Sequence, residues 1–240
     1  MSRTNKSHIA TSYGVIVYTY INDDLRFLMT LRRDTFCYES IIRGLYSDDV
    51  LAEYISHITR DERQRILTYS FDMLWKDLWV SPKRRLYRIE YKKAKEIFLA
   101  HYTYIINHVT QLDVFEQELW EFPKGKMFHD ETTIQCALRE FEEETNINKQ
   151  TIILVKKAGN YEDSFTGNDQ RTYKSIYYLG LIHKGGESPF VYQQCPHGMR
   201  EDYVSDEVMS IEWLSYEDAL TRCSPTKQVI LGNVYRYLCG

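Results

Sequence analysis

The chain has 240 residues, which is enough for one large domain or for a domain with an insertion. Its hydrophobic content of 43% is ordinary for a globular protein, and neither a signal peptide nor an apolar run long enough to span a bilayer is evident, so we expect no membrane association. The formal charge of −4 conceals a basic segment, 81–95, and an acidic segment, 116–144, and this contrast favours a polyanionic substrate.

Most of the chain outside its middle third predicts a β-rich domain. Runs of β-branched and aromatic residues predict strands over 11–20, 25–31, 119–122, 151–156, 173–182 and 207–213. Apolar periodicity predicts a helix over 133–145 and two C-terminal helices over 216–222 and 226–238. The segment 184–201 contains glycines and prolines and is expected to be a loop.

From about 37 to 115 the pattern is helical instead. A capping box formed by Thr59 and Glu62 predicts the start of a helix, which is expected to end before Pro82. A longer helix is expected over 84–110. Because no low-complexity linker is present, we interpret the helical block as an insertion. The predicted boundaries are 1–36 and 117–240 for a discontinuous domain and 37–116 for the inserted helical domain.

One side of the predicted helix over 84–110 is basic. Arg85, Arg88, Lys92 and Lys95 recur at a spacing that places them roughly opposite the apolar side of the helix. Such a stripe suits a polyanion, and an ordinary solvated face is the alternative.

Carboxylates cluster on the predicted helix over 133–145. Glu140, Glu143 and Glu144 share one face, where like charges would destabilise an isolated helix. Hard oxygen ligands grouped in this way suit Mg²⁺ or Mn²⁺. The neighbouring Arg139 can pair with a carboxylate and orient it.

The spacing around this helix resembles the Nudix box. Gly125, Glu131 and Arg139 stand at the distances that the box requires, and the three clustered glutamates complete it. Asn146 is the one departure, because the box has glycine there. Asparagine tolerates the left-handed conformation, so we expect Asn146 to end the helix. A solvated acidic helix is the alternative interpretation, and the matching spacings argue against it.

Three further segments resemble mRNA-decapping Nudix enzymes. Residues 120–126, Trp-Glu-Phe-Pro-Lys-Gly-Lys, resemble the entry into the box in that group. Residues 32–43 resemble the segment that leaves the second strand in poxvirus decapping enzymes, and 71–93 resembles the helical insertion of the African swine fever virus decapping protein. The resemblance runs in patches from about 11 to 214.

The resemblance implies an α/β fold, a Nudix α/β/α sandwich with a mixed, curved sheet and an all-helical inserted domain. It also implies cleavage of capped mRNA to 7-methyl-GDP and 5′-monophosphate RNA, with Mg²⁺ or Mn²⁺ as cofactor. By position, the implied metal ligands are Glu140, Glu143, Glu144, Glu207 and the carbonyl of Gly125. Glu144 corresponds to the general base, and Glu143 and Glu207 are the other implied catalytic acids. For Glu207, surface charge is the alternative.

The resemblance also suggests substrate contacts. Lys124, Lys126 and Lys174 are expected at the phosphates, with structural salt bridges as the alternative. A methylated guanine is a cationic ring that stacks on aromatic faces, and Phe36 and Tyr177 are the candidate rings. Each ring could instead belong to the core. The RNA body is expected on Arg85, Arg88, Lys92 and Lys95.

Two rival functions remain open at this stage. A hydrolase of diphosphoinositol polyphosphates or dinucleoside polyphosphates would use the same metal residues, although it would not need the long helical insertion. A non-catalytic RNA-binding module is less favoured, because all the box carboxylates are present. Five scattered cysteines indicate reduced thiols, and the resemblance implies the host cytoplasm of an infected cell. Packaging in the virion and the oligomeric state are left open.

Overall fold

The computed structural model describes residues 9–79, 85–111, 120–166, 172–182, 205 and 207–240, but not the side chains of Arg85 and Leu86. The loop expected over 184–201 and the helix end expected before Pro82 lie outside these residues. The chain divides into two compact units. The first comprises Met1–Arg33 and Glu118–Gly240, and the second comprises Asp34–Gln117. In the part described, no helix is long and apolar enough to cross a membrane.

The first unit contains a mixed sheet. Its strands are β1 (Ala10–Ile21), β2 (Asp24–Arg32), β3 (Trp120–Glu121), β4 (Lys124–Lys126), β5 (Ile152–Leu154), β6 (Asn160–Thr166), β7 (Thr172–Ile182) and β8 (Val208–Leu214). The central order is β3-β2-β1-β7-β5, while β4 pairs with β1, β6 with β7 and β8 with β2. Strands β1 and β7 are parallel, and the other pairings are antiparallel.

Helices occupy both units. Those of the second unit are α1 (Phe36–Arg43), α2 (Asp48–Ser56), α3 (Arg60–Thr68), α4 (Phe71–Leu78), α5 (Arg85–Ala100) and α6 (Tyr102–Gln111). Those of the first unit are α7 (Thr133–Thr145), α8 (Tyr216–Arg222) and α9 (Pro225–Cys239). The predicted α/β class with an all-helical segment is therefore confirmed.

Strand β1 alternates between two hydrophobic cores. Val15 and Val17 pack in the core that includes Phe141 of α7. Ile16 and Tyr18 belong to the other core, which residues of α8 and α9 complete. Since successive strand residues point to opposite faces, the sheet lies between α7 on one side and α8 and α9 on the other. This arrangement is the predicted α/β/α sandwich.

The hairpin predicted between β1 and β2 is confirmed. Its turn residues Asn22 and Asp23 have φ angles of 52° and 67°. Two successive left-handed residues match the right-handed twist of the flanking strands, and Asn and Asp tolerate that conformation. Two short strands, β4 and β6, escaped the sequence prediction. In β6 most residues are exposed, so its sequence lacks the apolar pattern of a core strand.

Two of the helix predictions in the second unit are wrong in extent. The single helix predicted from Thr59 towards Val80 is in fact α3 and α4, which are separated where Tyr69 adopts extended dihedral angles. Ser70 then caps α4 by accepting a hydrogen bond from the backbone N–H of Met73. The helix predicted over 84–110 is likewise divided at His101 into α5 and α6.

A separate core holds the helical unit together. It contains the rings of Tyr38, Phe71, Trp75 and Phe98, each at most 5% exposed. The rings of Phe71 and Trp75 are stacked, with centroids 5.8 Å apart, and those of Phe71 and Phe98 lie 5.2 Å apart. Aromatic burial of this kind supplies a large apolar area in a small helical unit.

Candidate active site

Gly14 has no side chain, and this lets β4 lie close to β1. Gly14 of β1 pairs with Lys124, and a methyl group on Gly14 would lie only 2.2 Å from the carbonyl oxygen of Pro123. The backbone N–H of Val15 donates to that same carbonyl at 3.3 Å. Glycine at this position therefore allows the segment before α7 to pack directly on β1.

Helix α7 begins and ends at well-defined caps. Thr132 accepts a hydrogen bond from the backbone N–H of Gln135, and the Gln135 side chain accepts one from the backbone N–H of Thr132. This is a capping box, which satisfies two backbone donors at once. At the other end Asn146 has φ 55° and ψ 15°, and its N–H donates to Glu142 at 2.9 Å. The predicted left-handed helix stop at Asn146 is confirmed.

Gly125 lies directly against the carboxylate of Glu140. A methyl group on Gly125 would be 2.0 Å from Cδ and 2.2 Å from each carboxylate oxygen of Glu140. No other residue type fits there, because even the smallest side chain would overlap the carboxylate. The Sγ of Cys136 lies 3.6 Å from the Gly125 carbonyl oxygen. Gly125, the glycine of the box, thus places the backbone of β4 next to the side chain of Glu140.

Arg139 organises the acids of the box. Its guanidinium forms two hydrogen bonds with Glu131, at 3.0 Å and 2.8 Å. It also donates to Glu140 at 2.8 Å and to Glu143 at 2.9 Å. The hydrogen bonds from Arg139 lower the pKa of Glu131 to about 2. The ring of Phe128 covers the guanidinium, with its centroid 4.0 Å from Cζ. The predicted pairing of Arg139 is confirmed, and it extends to three carboxylates.

Glu144 is the most perturbed acid of the cluster. Burial raises the pKa of Glu144 to about 8, the negative charges of Glu207 and Glu140 act in the same direction, and Lys124 opposes them. The pKa of Glu140 is also raised, chiefly by burial, although Arg139 opposes that effect. Buried carboxylates that repel one another are stabilised in their charged form by a cation.

The donor set fits a divalent metal ion in chemistry and charge. Glu140, Glu144 and Glu207 are hard oxygen donors whose charges influence one another. Within the described ranges, however, no three His, Cys, Asp or Glu side chains are placed so that they could hold an ion together. Arg139 pairs instead with Glu140 and Glu143. The metal-binding roles expected for Glu140, Glu143, Glu144, Glu207 and the carbonyl of Gly125 therefore stay predictions.

The three lysines expected at the phosphates lie in different surroundings. Lys124 forms an ion pair with Glu121, and Lys126 is exposed. Lys174 pairs with Glu162 at 2.7 Å. Their expected contacts with phosphate stay predictions. The ion pair of Lys124 is only partly exposed, so the position of its ammonium group is fixed by Glu121.

Two aromatic residues are expected at the cap, and for one of them, Tyr177, the structure contradicts that expectation. Its side chain is fully buried (0% exposed), and its ring packs edge-on against Phe122 with centroids 5.6 Å apart. A ring without accessible surface offers no face to a ligand, so Tyr177 is a core residue. Phe36 belongs to the second unit, is 50% exposed and packs edge-on against Tyr54. Its role at the cap stays a prediction.

The four residues of the basic stripe of α5 lie in different surroundings. Arg88 and Lys92 are exposed, as a phosphate-binding surface requires. Nζ of Lys95 donates to Asp72 at 2.6 Å and lies 5.4 Å from the ring centroid of Tyr91, in an exposed ion pair. The side chain of Arg85 lies outside the described part of the chain. The expected RNA contacts of all four residues stay predictions.

Sequence reasoning missed two residues near the acids. Glu121 pairs with Lys124, three residues later, and that spacing could have indicated the pair. Arg32 follows a β-bulge between β2 and β8. Together with Lys124, its positive charge lowers the pKa of Glu121 against the effect of burial, and it offsets part of the rise in the pKa of Glu144. A bulge redirects side chains, which periodicity cannot reveal.

Comparison with known proteins agrees with this geometry. The chain is 28% identical over 221 residues to the mRNA-decapping protein g5R of African swine fever virus, covering 87% of this chain and 86% of that protein. A protein of Acanthamoeba polyphaga mimivirus, also named for mRNA decapping, is 33% identical over 123 residues, which cover 50% of this chain and 31% of that protein.

Solved structures show the same fold. The binary complex of the Ap4A hydrolase of C. elegans superposes with a TM-score of 0.50 at 13% identity, covering 97% of this chain and 99% of that one. The sequence profile of the NUDIX domain matches residues 96–233, more than half of the chain. Nudix hydrolases generally use divalent metal ions. With its box acids gathered around Arg139 and Gly125, the chain belongs to the Nudix family.

Proposed function

We propose that this chain removes the 5′ cap of mRNA, releasing 7-methyl-GDP and RNA with a 5′-monophosphate. The observation that carries this proposal is the similarity to the African swine fever virus decapping protein, which extends over 87% of the chain and so includes the helical unit. The organised acids of α7 support a hydrolytic rather than a purely RNA-binding role, because every carboxylate of the box is present.

The phosphoanhydride bridge of a cap carries several negative charges, which repel an attacking hydroxide. Bound Mg²⁺ or Mn²⁺ would neutralise that charge and acidify a water molecule. Glu140, Glu144 and Glu207 would bind the ion, with Glu143 and the carbonyl of Gly125 as further ligands. Arg139 orients Glu140 and Glu143 through its hydrogen bonds.

Glu144 is the proposed general base, which accepts the proton of the attacking water. Desolvation and the acids around it raise its pKa, which makes the ionised carboxylate a stronger proton acceptor. Lys124 and Lys126 are the proposed phosphate contacts, with Lys174 as a third. Each lysine would act as a point charge on the bridge or on the leaving phosphate.

The second unit is the proposed binding surface for the RNA body. Arg88 and Lys92 are exposed on α5 and lie one helical turn apart on the same side. Contacts from these side chains would mostly meet phosphates and would carry little sequence information. Phe36 is proposed as one aromatic contact of the methylated base. The viral relatives favour the host cytoplasm of an infected cell as the place of action.

Incubation of the chain with cap-labelled RNA and Mn²⁺ tests the proposed activity. We expect 7-methyl-GDP as the labelled product. The matched control is Glu142→Gln, since Glu142 lies on the same helix but pairs with Lys149 rather than with Arg139. Release of 7-methyl-GMP, or hydrolysis of diphosphoinositol polyphosphates or dinucleoside polyphosphates with no turnover of capped RNA, would refute the proposal.

The role of Phe36 has its own test. Phe36→Ala should reduce the preference for methylated over unmethylated cap, because the stacking face is lost. The ring is 50% exposed, so we expect the variant to fold, and its melting temperature should be followed alongside. An unchanged preference in a stably folded variant would remove Phe36 from the cap contact.

A further inference from the structure

Phe128 is the most exposed phenylalanine in the described part of the chain. The residue is 60% exposed, whereas Phe27, Phe122 and Phe141 of the same unit are fully buried. A single exposed apolar residue is normal at a protein surface, so its exposure alone indicates nothing. Phe128 differs from an ordinary surface residue in its place, because it lies in the loop between β4 and α7, next to the acids of the box.

The ring of Phe128 is held in place from one side. One face lies against the guanidinium of Arg139, with the ring centroid 4.0 Å from Cζ. The backbone N–H of Phe128 donates to Glu131 at 2.7 Å, and Glu131 in turn accepts two hydrogen bonds from Arg139. Arg139 also donates to the carbonyl of Lys126 at 3.0 Å, so both ends of this short loop are tied to the same guanidinium. The ring is therefore preorganised, and a ligand would not have to order it.

Arg139 connects the ring to the proposed metal ligands. The guanidinium against the ring donates to Glu140 at 2.8 Å and to Glu143 at 2.9 Å. Cleavage to 7-methyl-GDP and 5′-monophosphate RNA breaks the bond to the phosphate that the first RNA nucleotide keeps, so that phosphate must lie at the metal ion. Only a ribose separates this phosphate from the base of the same nucleotide. The exposed face of Phe128 is thus within reach of that base.

This exposed face favours a neutral base over the cationic 7-methylguanine. Arg139 already draws on the π electrons of the ring through the opposite face, so a second cation would gain less from them. A neutral base stacks on an aromatic ring through its own π face, and every base has one. Shielding of Arg139 is the alternative role for Phe128, and it accounts for only one face of the ring.

We propose that Phe128 stacks on the base of the first RNA nucleotide and so holds the end of the RNA against the metal site. This inference rests on the proposed function, because it requires an RNA substrate that is cleaved at that phosphate. It adds a contact on the RNA side of the cleaved bond, whereas Phe36 is the proposed contact of the methylated base. Stacking of this kind tolerates every base, so we expect little sequence preference at the first nucleotide.

Binding of two short RNAs to the full chain in the presence of Mg²⁺ tests the proposal. One is a tetranucleotide with a 5′-monophosphate, and the other has the same backbone with an abasic first residue. The two RNAs carry equal charge, so the ratio of their dissociation constants isolates the effect of the base. We expect the intact RNA to bind the wild-type chain about tenfold more tightly, in line with the stacking of one base on an aromatic ring.

Variants of the loop separate stacking from shielding of Arg139. Phe128→Leu should bring the ratio close to one, and Phe128→Trp should keep or raise it, because indole offers a larger stacking face. Met127→Leu, which changes an exposed neighbour in the same loop, is the control and should leave the ratio unchanged. If Phe128 only shielded Arg139, Phe128→Leu would weaken both RNAs alike, and the unchanged ratio would overturn the proposal. A ratio near one or no binding in the wild-type chain, or a ratio that Met127→Leu also removes, would overturn it too.

A third RNA tests which base is stacked. A tetranucleotide that begins with 7-methylguanosine 5′-monophosphate should bind the wild-type chain less tightly than the same RNA beginning with guanosine. Tighter binding of the methylated RNA that is lost in Phe128→Leu would place the ring at the cap and overturn the proposal. None of these measurements requires turnover. A chain that shows the expected ratio but removes no cap would refute the proposed function alone, whereas cap removal without the ratio would refute the stacking contact alone.

Discussion

The largest acid cluster of each unit surrounds an arginine, but the two clusters differ in how fully their charges are compensated. In the helical unit, Arg65 gathers three carboxylates, at 2.7 Å from Asp34, 3.0 Å from Asp61 and 2.9 Å from Asp77. Its guanidinium also lies over the ring of Tyr38, with Cζ 4.4 Å from the centroid. The charges there are compensated within the unit, so removing the central cation should mainly affect folding.

In the first unit the acids of α7 are only partly compensated. Arg139 pairs with Glu131, Glu140 and Glu143, whereas desolvation and the neighbouring acids raise the pKa of the half-buried Glu144 to about 8. Because a carboxyl with this pKa is largely protonated near pH 7, a neutral replacement of Glu144 should leave the fold intact while activity is lost. Paired charges such as those around Arg65 contribute to a fold, whereas a group of acids that raise one another's pKa is a candidate functional site.

The largest effect is expected at the compensated cluster. Arg65→Met would leave three carboxylates without their common partner, and breaking a buried pair in this way costs about 3–5 kcal/mol. Chemical denaturation measures this loss. The matched control is Lys149→Met, which removes a half-exposed partner of Glu142 and should change stability little. A loss for Arg65→Met no larger than that of the control would contradict the view that this cluster stabilises the helical unit.

The complementary change at the uncompensated cluster is Glu144→Gln. Turnover should fall about a hundredfold or more, because general base catalysis contributes at least that much. The melting temperature of the metal-free chain should change little, since a carboxyl with a pKa of about 8 is largely neutral near pH 7 and glutamine is neutral too. Glu142→Gln on the same helix is the control and should retain activity. A variant at position 144 that keeps more than about a tenth of the wild-type rate would exclude Glu144 as the base.

Glu62, a buried acid of the helical unit, makes the stability of that unit depend on pH. Burial raises the pKa of this carboxyl to about 7, although it accepts hydrogen bonds from the backbone N–H groups of Thr35 and Thr59. The folded state then binds a proton more tightly than the unfolded chain does. Stability is therefore fully present below pH 4.5, the ordinary value, and is lost as pH rises towards about 7.

The slope of that loss can be measured directly. Denaturation between pH 4.5 and about 7 should show a decrease of up to about 1.4 kcal/mol per pH unit from this group. Glu62→Gln should remove that part of the slope, and its single amide oxygen can keep the hydrogen bond of only one of the two backbone N–H groups, so a loss of stability that does not depend on pH is expected as well. An unchanged slope in Glu62→Gln would show that another group is responsible.

The exposed basic residues of the helical unit give a smaller effect. Reversing the charge of Arg88 and Lys92 together should weaken RNA binding regardless of sequence and reduce the salt dependence by about one to two units of slope. The control is the same reversal at Lys156 and Lys157, which are exposed in the first unit. Turnover of a short cap analogue should change much less. Equal salt slopes in the wild type and in the Arg88 and Lys92 variant would indicate an ordinary solvated face.

Much of the site could be predicted because its signals are local. Gly125, Glu131, Arg139 and Glu140 stand at fixed spacings along one helix and the short strand and loop before it, so periodicity and motif spacing suffice. Tyr177 could not be placed in this way. An alternating strand shows that its ring faces one side of the sheet, but only the packing of Phe122 and Lys227 shows that this side is closed.

The same limit applies to helices and lysines of the second unit. The apolar periodicity continues across Tyr69 and across His101, and the breaks there depend on how α3–α6 pack together. Lys95 has the spacing of a basic stripe, and its engagement with Asp72, a residue 23 positions earlier in the sequence, is a tertiary contact. Spacing thus identifies which charges share a face, but not which of them are already paired.

The smallest effect is expected at Asn146, where sequence and structure agree. Its φ of 55° is left-handed, which glycine adopts without a steric penalty and asparagine tolerates. Asn146→Gly restores the residue of the Nudix box. Glycine relieves the steric penalty in the folded state but adds conformational freedom to the unfolded chain, and these two effects oppose each other. The free energy of unfolding should therefore change by less than about 1 kcal/mol. Asn146→Val is the matched control, because a β-branched residue cannot adopt this conformation cheaply and should lower the melting temperature. A strong loss of activity in Asn146→Gly at unchanged stability would show instead that the asparagine amide contacts the substrate.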